Sequence, residues 1–323
     1  MVVYIIKRVL MFIPILLGIS LVCLVFIDIA PGDPAEIIVP IDNKDGKRAE
    51  KVQAVREELG LNDSFVVRYV RFIGNVLKGD LGNDYFTKRP VGPDIMNRFP
   101  YTLTIATLSV LISVVIGIPT GIFAATHQYS WKDNTAIILS LVFVSMPSFW
   151  FALLLVRLFS VQLGWLPVSG IKNWTGWILP SLSLALSTAA GFARQARSNM
   201  LEVIRQDYIT TARAKGQNET VIRYRHALKN AGIPLIMLIG GLFGMQLGGA
   251  LIAEVVFSIP GLGQYTLTGL TNRNYPVIQA SVLFISSIYC VIILLIDILF
   301  AFIDPRIRSA YVKPKRLKAK EAA

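Results

Sequence analysis

Charge, cysteine, histidine and acidic residues are all scarce in this chain of 323 residues, and each scarcity closes off a class of function. Only 16% of residues are charged, against about a quarter in an ordinary soluble domain. Two cysteines, Cys23 and Cys290, lie inside apolar runs with no ligand spacing, so they read as small buried hydrophobes rather than a disulfide or a metal site. His127 and His226 are isolated from each other and from any H-E-x-x-H or Ser/His/Asp pattern, which argues against a metal centre and against hydrolytic chemistry. No G-x-x-x-x-G-K-[ST] phosphate loop occurs; Gly46-Lys47 lacks both the preceding glycine and the following hydroxyl. Acidic residues number 20 against 32 Lys and Arg, a net charge of +12. The basic residues sit beside apolar blocks, which points to membrane orientation rather than to a nucleic-acid surface.

What the chain does have is hydrophobicity: 54% apolar residues and a mean hydropathy of +0.58, concentrated in blocks. About 20 apolar residues at 1.5 Å each cross a hydrocarbon core. The first block, 9–30, is too long for a signal-peptide core and reads as a retained span ending at Pro31, Gly32 and Pro34. Further spans are expected at about 101–126, 135–163 (kinked at Pro147), 178–196, 233–257 and 276–303. The fourth is rich in Ser, Ala and Gly, as suits a helix packed within a bundle. Between the first two spans, a polar excursion carries two amphipathic helices. One has Val52, Val55 and Leu59 on a face and stops at Gly60; the other runs from about Ser64 to Leu77 and stops at Gly79. Whether they rest on the membrane or form a cap is left open by the sequence.

Four divisions follow: 1–30, an inner N-terminus and first span; 31–100, an outer loop; 101–303, a five-span core holding an inner loop at 198–232; and 304–323, a basic tail. Lys7, Arg8, Lys132, the 207–234 segment and the tail place both termini in the cytoplasm by the positive-inside rule. Residues 207–234 carry Arg213, Lys215, Arg223, Arg225 and Lys229 against Asp207 and Glu219. A helix continuing from Arg197 to a break at Gly216, then a second helix capped by Asn218 and ended by Gly232 and Pro234, would make a compact basic projection. Docking to a soluble partner and resting on anionic lipid both suit it.

"YITTARAKGQNETVIRYRHALKNAGIPLI", together with "LLGISLVCLVFIDIAPGDPA", "REELGLND", "GDLGNDYFTKRPV", "MPSFW", "LGWLPVSG", "AEVVFSIPGLGQYT" and "DPRIR", resembles the B-type permeases of ATP-binding-cassette importers for dipeptides, oligopeptides and nickel. The match covers all but about 40–47 and the tail after Tyr311. The superfamily's Glu-Ala-Ala is replaced by Thr210, Thr211 and Ala212, the peptide group's own form.

The resemblance implies an all-α integral membrane protein with the six-helix type I importer permease fold, in a bacterial or archaeal plasma membrane. It implies no cofactor on this chain, with ATP and Mg bound by two ABC ATPase subunits, plus a second, C-type permease and an extracytoplasmic substrate-binding protein. Coupling to the ATPase falls to Ala212, Arg213, Ala214, Lys215 and Gly216, with Val221 and Ile222 as apolar contacts. The turn at Pro260, Gly261 and Gly263 becomes an outer gate where the binding protein docks. Gln246, Gly244 and Gly248 in the fifth span are the candidates for lining the path. Peptides are the implied cargo, with glutathione or nickel chelates as alternatives. An ion-coupled transporter would instead need Arg157, Glu254 or Asp297 as membrane-embedded ionisable groups.

Overall fold

The computed structural model describes residues 2–39 and 47–303. The expected basic tail and the "DPRIR" motif lie outside the described residues. Helices follow in the order α1 (Val2–Ile29), α2 (Pro34–Ile38), α3 (Arg48–Glu58), α4 (Phe65–Leu77), α5 (Val91–Thr126), α6 (Trp131–Ser145), α7 (Ser148–Leu155), α8 (Ile178–Ile204), α9 (Asp207–Ala214), α10 (Glu219–Val221), α11 (Leu228–Val256), α12 (Leu262–Thr271) and α13 (Tyr275–Ile303). No strand forms among the described residues beyond one isolated bridge, Asn83 to Pro90.

Among the described residues, five helices are long and apolar enough to cross a membrane, and six segments are if the α6–α7 pair counts as one. That pair, expected as one span kinked at Pro147, is bent by 101°. Pro147 forces Met146 into extended backbone (φ −76°, ψ 128°), so the chain leaves the helix before restarting at Ser148. α7 then runs on through a π-helical stretch, Val156–Gln162. α5 starts ten residues before the expected Tyr101, because Pro93 falls within its first turn and Pro100 is absorbed in its interior. α8 extends eight residues past its expected end at Ala196.

α5 and α8 form the centre of the bundle. Small residues allow their backbones to touch: a Cβ at Gly117 would strike the Ala189 carbonyl, and one at Gly121 the Ala193 carbonyl. Ser113 Oγ donates to Ala185 O at 2.8 Å, tying the two helices together at the same place. α8 is the most buried of the spans, as its composition predicts.

α1 packs against α13 on one side and against α4 on another. Tyr69 Oη of α4 donates to Leu17 O at 2.8 Å, and Arg68 pairs with Asp28. Leu17 is twelve residues before the end of α1, about 18 Å along its axis. α4 therefore lies along the flank of α1, with Val66, Val70 and Leu77 exposed in a stripe on its open side. That contact ties the second amphipathic helix to the first span instead of leaving it free of the bundle.

Candidate functional site

Two places bring together the residues singled out in the sequence. They lie at opposite ends of the bundle, joined by α11.

The first is the hairpin between α8 and α11. α8 ends at Ile204 and Gln206 turns extended (φ −75°, ψ 149°), so the helix expected to run unbroken from Arg197 to Gly216 is in fact two. α9 stops in a Schellman motif: Gly216 N–H donates to Arg213 O at 2.9 Å and Gln217 N–H to Ala212 O at 3.3 Å. Gly216 adopts φ +76°, the left-handed conformation the reversal needs and that glycine adopts without steric cost. Asn218 caps the next helix as expected, its Oδ1 accepting from Thr220 N–H at 2.9 Å. Arg213 and Glu219 close the two arms with an ion pair at 2.7 Å. That pair holds the Glu219 carboxyl below its usual range, and the hydrogen bond from Arg213 is the main cause.

Beneath this loop, Ile209 and Ile222 are fully buried with Met200, Ala227 and Ala231, against Ile122 and Ala125 of α5. Ile222, expected as an apolar contact for a partner, is therefore part of the protein's own core. Its neighbour Val221 stays exposed, as do Arg213, Ala214, Lys215 and Gly216, while Ala212 is half-buried. Tyr224, close after Val221 on the same helical stretch and 61% exposed, completes the open face. Sequence motifs do not single it out; an aromatic on the basic side of an amphipathic helix is the signal that could have done so. The expected stop at Gly232 and Pro234 does not occur. A π-helical turn, Ile222–Ala227, leads straight into α11, which carries Pro234 inside it.

At the root of the hairpin, Arg197 grips Asp133 with two hydrogen bonds, Nε to Oδ1 at 2.6 Å and Nη2 to Oδ2 at 2.7 Å. Asp133 is buried and also accepts from Tyr129 N–H at 3.0 Å. The α5–α6 turn is thus fixed to the helix from which the hairpin hangs.

The second place is the turn between α11 and α12. Glu254 is fully buried, with Oε1 accepting from Thr102 Oγ1 at 2.5 Å and Oε2 from Gln264 N–H at 2.7 Å. Thr102 Oγ1 in turn accepts from Leu262 N–H at 2.8 Å. The carboxylate thus occupies the amino end of α12, where free N–H groups and the helix dipole favour negative charge. Gly261 and Gly263 leave room for it: a Cβ at Gly261 would collide with the carboxylate, and one at Gly263 with Leu251. Pro260 is exposed at the tip. The sequence offers Glu254 only as an ion-coupling group; its structural position is that of a helix anchor. Asp297 faces Arg8 at 3.0 Å, and Arg157 is exposed.

The path candidates separate. Gln246 is buried and donates to Ser109 Oγ and to Leu184 O, locking α11 to α5 and α8 instead of lining an opening. Gly244 is a packing position, because a Cβ there would strike the Tyr289 ring of α13. Gly248 alone of the three is open: a Cβ there would meet nothing within 4 Å, and Met245 is exposed nearby. Among the described residues no group of three or more His, Cys, Asp or Glu could hold a metal ion.

Residues 117–309 match the family described as binding-protein-dependent transport system inner membrane component, and residues 1–106 match the N-terminal part of such membrane components. The chain belongs to this family. The permease is 40% identical over 305 residues to the glutathione transport system permease protein GsiC of Salmonella paratyphi A, covering 94% of this chain and 98% of that one. It is 39% identical to the corresponding protein of Escherichia coli K12 over the same span. Among solved structures it resembles inward-facing forms of the MetNI methionine ABC transporter, with TM-scores of 0.57 and 0.52 at 18% identity. The first of those covers 66% of this chain and 97% of the other. The fold is that of the type I ABC importer permeases, and the chain is a multi-pass transport subunit of the inner membrane.

Proposed function

We propose that this permease forms half of a path for short peptides, glutathione among them, and is driven by ATP hydrolysed with Mg on two separate ABC ATPase subunits. The observation that carries the reading is the exposed, internally braced hairpin in a chain with no phosphate-binding loop of its own. Both termini and the hairpin face the cytoplasm, where residues 212–216, Val221 and Tyr224 meet the ATPase. The α11–α12 turn faces outward, toward a substrate-binding protein, and a second permease completes the path beside the open face at Gly248. Support for a peptide cargo comes from relatives named for glutathione, itself a tripeptide, that align over nearly the whole chain.

The test is uptake of labelled glutathione and dipeptides into vesicles holding the assembled transporter, with ATP hydrolysis followed in parallel. Gly216→Pro, whose φ near −65° is incompatible with the observed +76°, should abolish uptake while the protein still inserts. Normal uptake by that variant, or ion-gradient-driven uptake without ATP, would refute the proposal.

A further inference from the structure

The side of α1 away from α4 forms, with α13, an apolar groove of about 540 Å³ that runs from Pro14 to Ala30. Gly18, Val22 and Phe26 line it from α1, and Ile278 and Val282 from α13. It is about 24 Å long and open along one side, a length and an apolar lining that suit an extended acyl chain.

At the end of the groove next to Ala30 stands Arg273. It is a non-glycine residue in the left-handed region (φ 54°), at the turn that closes α12, flanked by Asn272 and Asn274. Positions of this kind normally take glycine or asparagine. Here the turn swings a guanidinium over Gly32, where any Cβ would strike it. The two acids at this end of α1 are already engaged, Asp28 by Arg68 and Asp33 by Arg56. Among the described residues, the Arg273 side chain has no hydrogen-bond or ion-pair partner. A cation at the edge of hydrocarbon is costly without a counter-charge, and guanidinium matches phosphate geometry well.

We propose that the α1–α13 groove is a phospholipid site, with one acyl chain lying along Gly18, Val22 and Ile278 and the headgroup phosphate on Arg273. The bound lipid fills the seam between the first and last spans, which otherwise meet only along part of their length.

The experiment is native mass spectrometry of the full chain, stripped of lipid in detergent and titrated with phosphatidylglycerol. Wild type should retain one lipid through detergent exchange. Arg273→Gln should weaken retention about tenfold, the loss expected for one charge-assisted contact. Gly18→Phe should do the same by filling the slot, with Gly18→Ala, whose Cβ meets nothing within 4 Å, retaining lipid as the control for folding. Unchanged retention in both variants overturns the proposal, as does failure of wild type to retain lipid. Binding that survives Gly18→Phe but is displaced by inorganic phosphate overturns it in favour of a free-anion site. A crosslink from Val22→Cys to a second membrane subunit in the assembled transporter would place protein there and likewise overturn it.

Discussion

The hairpin at one end of the permease and the Glu254 turn at the other solve opposite problems with the same few devices. Around Glu254 every polar atom of the carboxylate is turned inward, and the glycines let it approach the α12 terminus. In the hairpin, only the underside is buried, and the ion pairs of Glu219 with Arg213 and Arg223 lie on the exposed side. One end is built to hold its own shape. The other is held from below so that its upper surface stays available.

The contrast can be broken most severely at the hairpin root. Arg197→Met would leave Asp133 buried without its counter-charge, a loss of about 3–5 kcal/mol, read as a fall in thermal midpoint in detergent. Adding Asp133→Leu to that variant should recover much of the loss, since an apolar pair removes the stranded charge. No recovery would mean that the bond to Tyr129 matters more than the ion pair.

Next in size is Glu254→Ala, which strands the Thr102 hydroxyl and the Gln264 amide at the far turn. The expected cost is about 2–3 kcal/mol, with Glu254→Gln milder because it keeps one acceptor. Equal effects from the two substitutions would show that volume, rather than hydrogen bonding, holds α12.

The smallest effect belongs to the hairpin's surface pair. The folded protein depresses the Glu219 pKa, so the stabilisation is present above the unfolded value and is lost as pH falls through the folded one. With both partners partly exposed, it amounts to about 0.3–1 kcal/mol after solvent screening, and salt should erase it. Protection of the amides at residues 213–219, taken relative to their intrinsic exchange rate at each pH, should fall as pH is lowered in wild type and stay flat in Glu219→Gln.

Hydropathy and small-residue composition are sufficient to find the spans, and Gly216 and Asn218 announce their backbone roles through residue type alone. Proline is the consistent source of error. Pro100 and Pro234 would each end a helix in water, yet both lie inside bundle helices that run through them. Pro147 does the reverse, breaking a span that the sequence suggests is only kinked. The polar residues are harder still. Gln246 resembles a path residue because of its depth, yet its partners Ser109 and Leu184 come from helices distant in sequence, which no local pattern reveals. Ile222 misleads for the same reason: Ile122, its neighbour in the core, lies far earlier in the chain.

The π-helical turn at Ile222–Ala227 joins the short helix that follows Gly216 to the 29-residue α11 with no loop between them. With the ATPase docked at Val221 as proposed, the chain from there to Glu254 is helical throughout, about 50 Å of rod. On the proposed reading, a push at the hairpin is passed toward the Glu254 turn through helix rather than through loop.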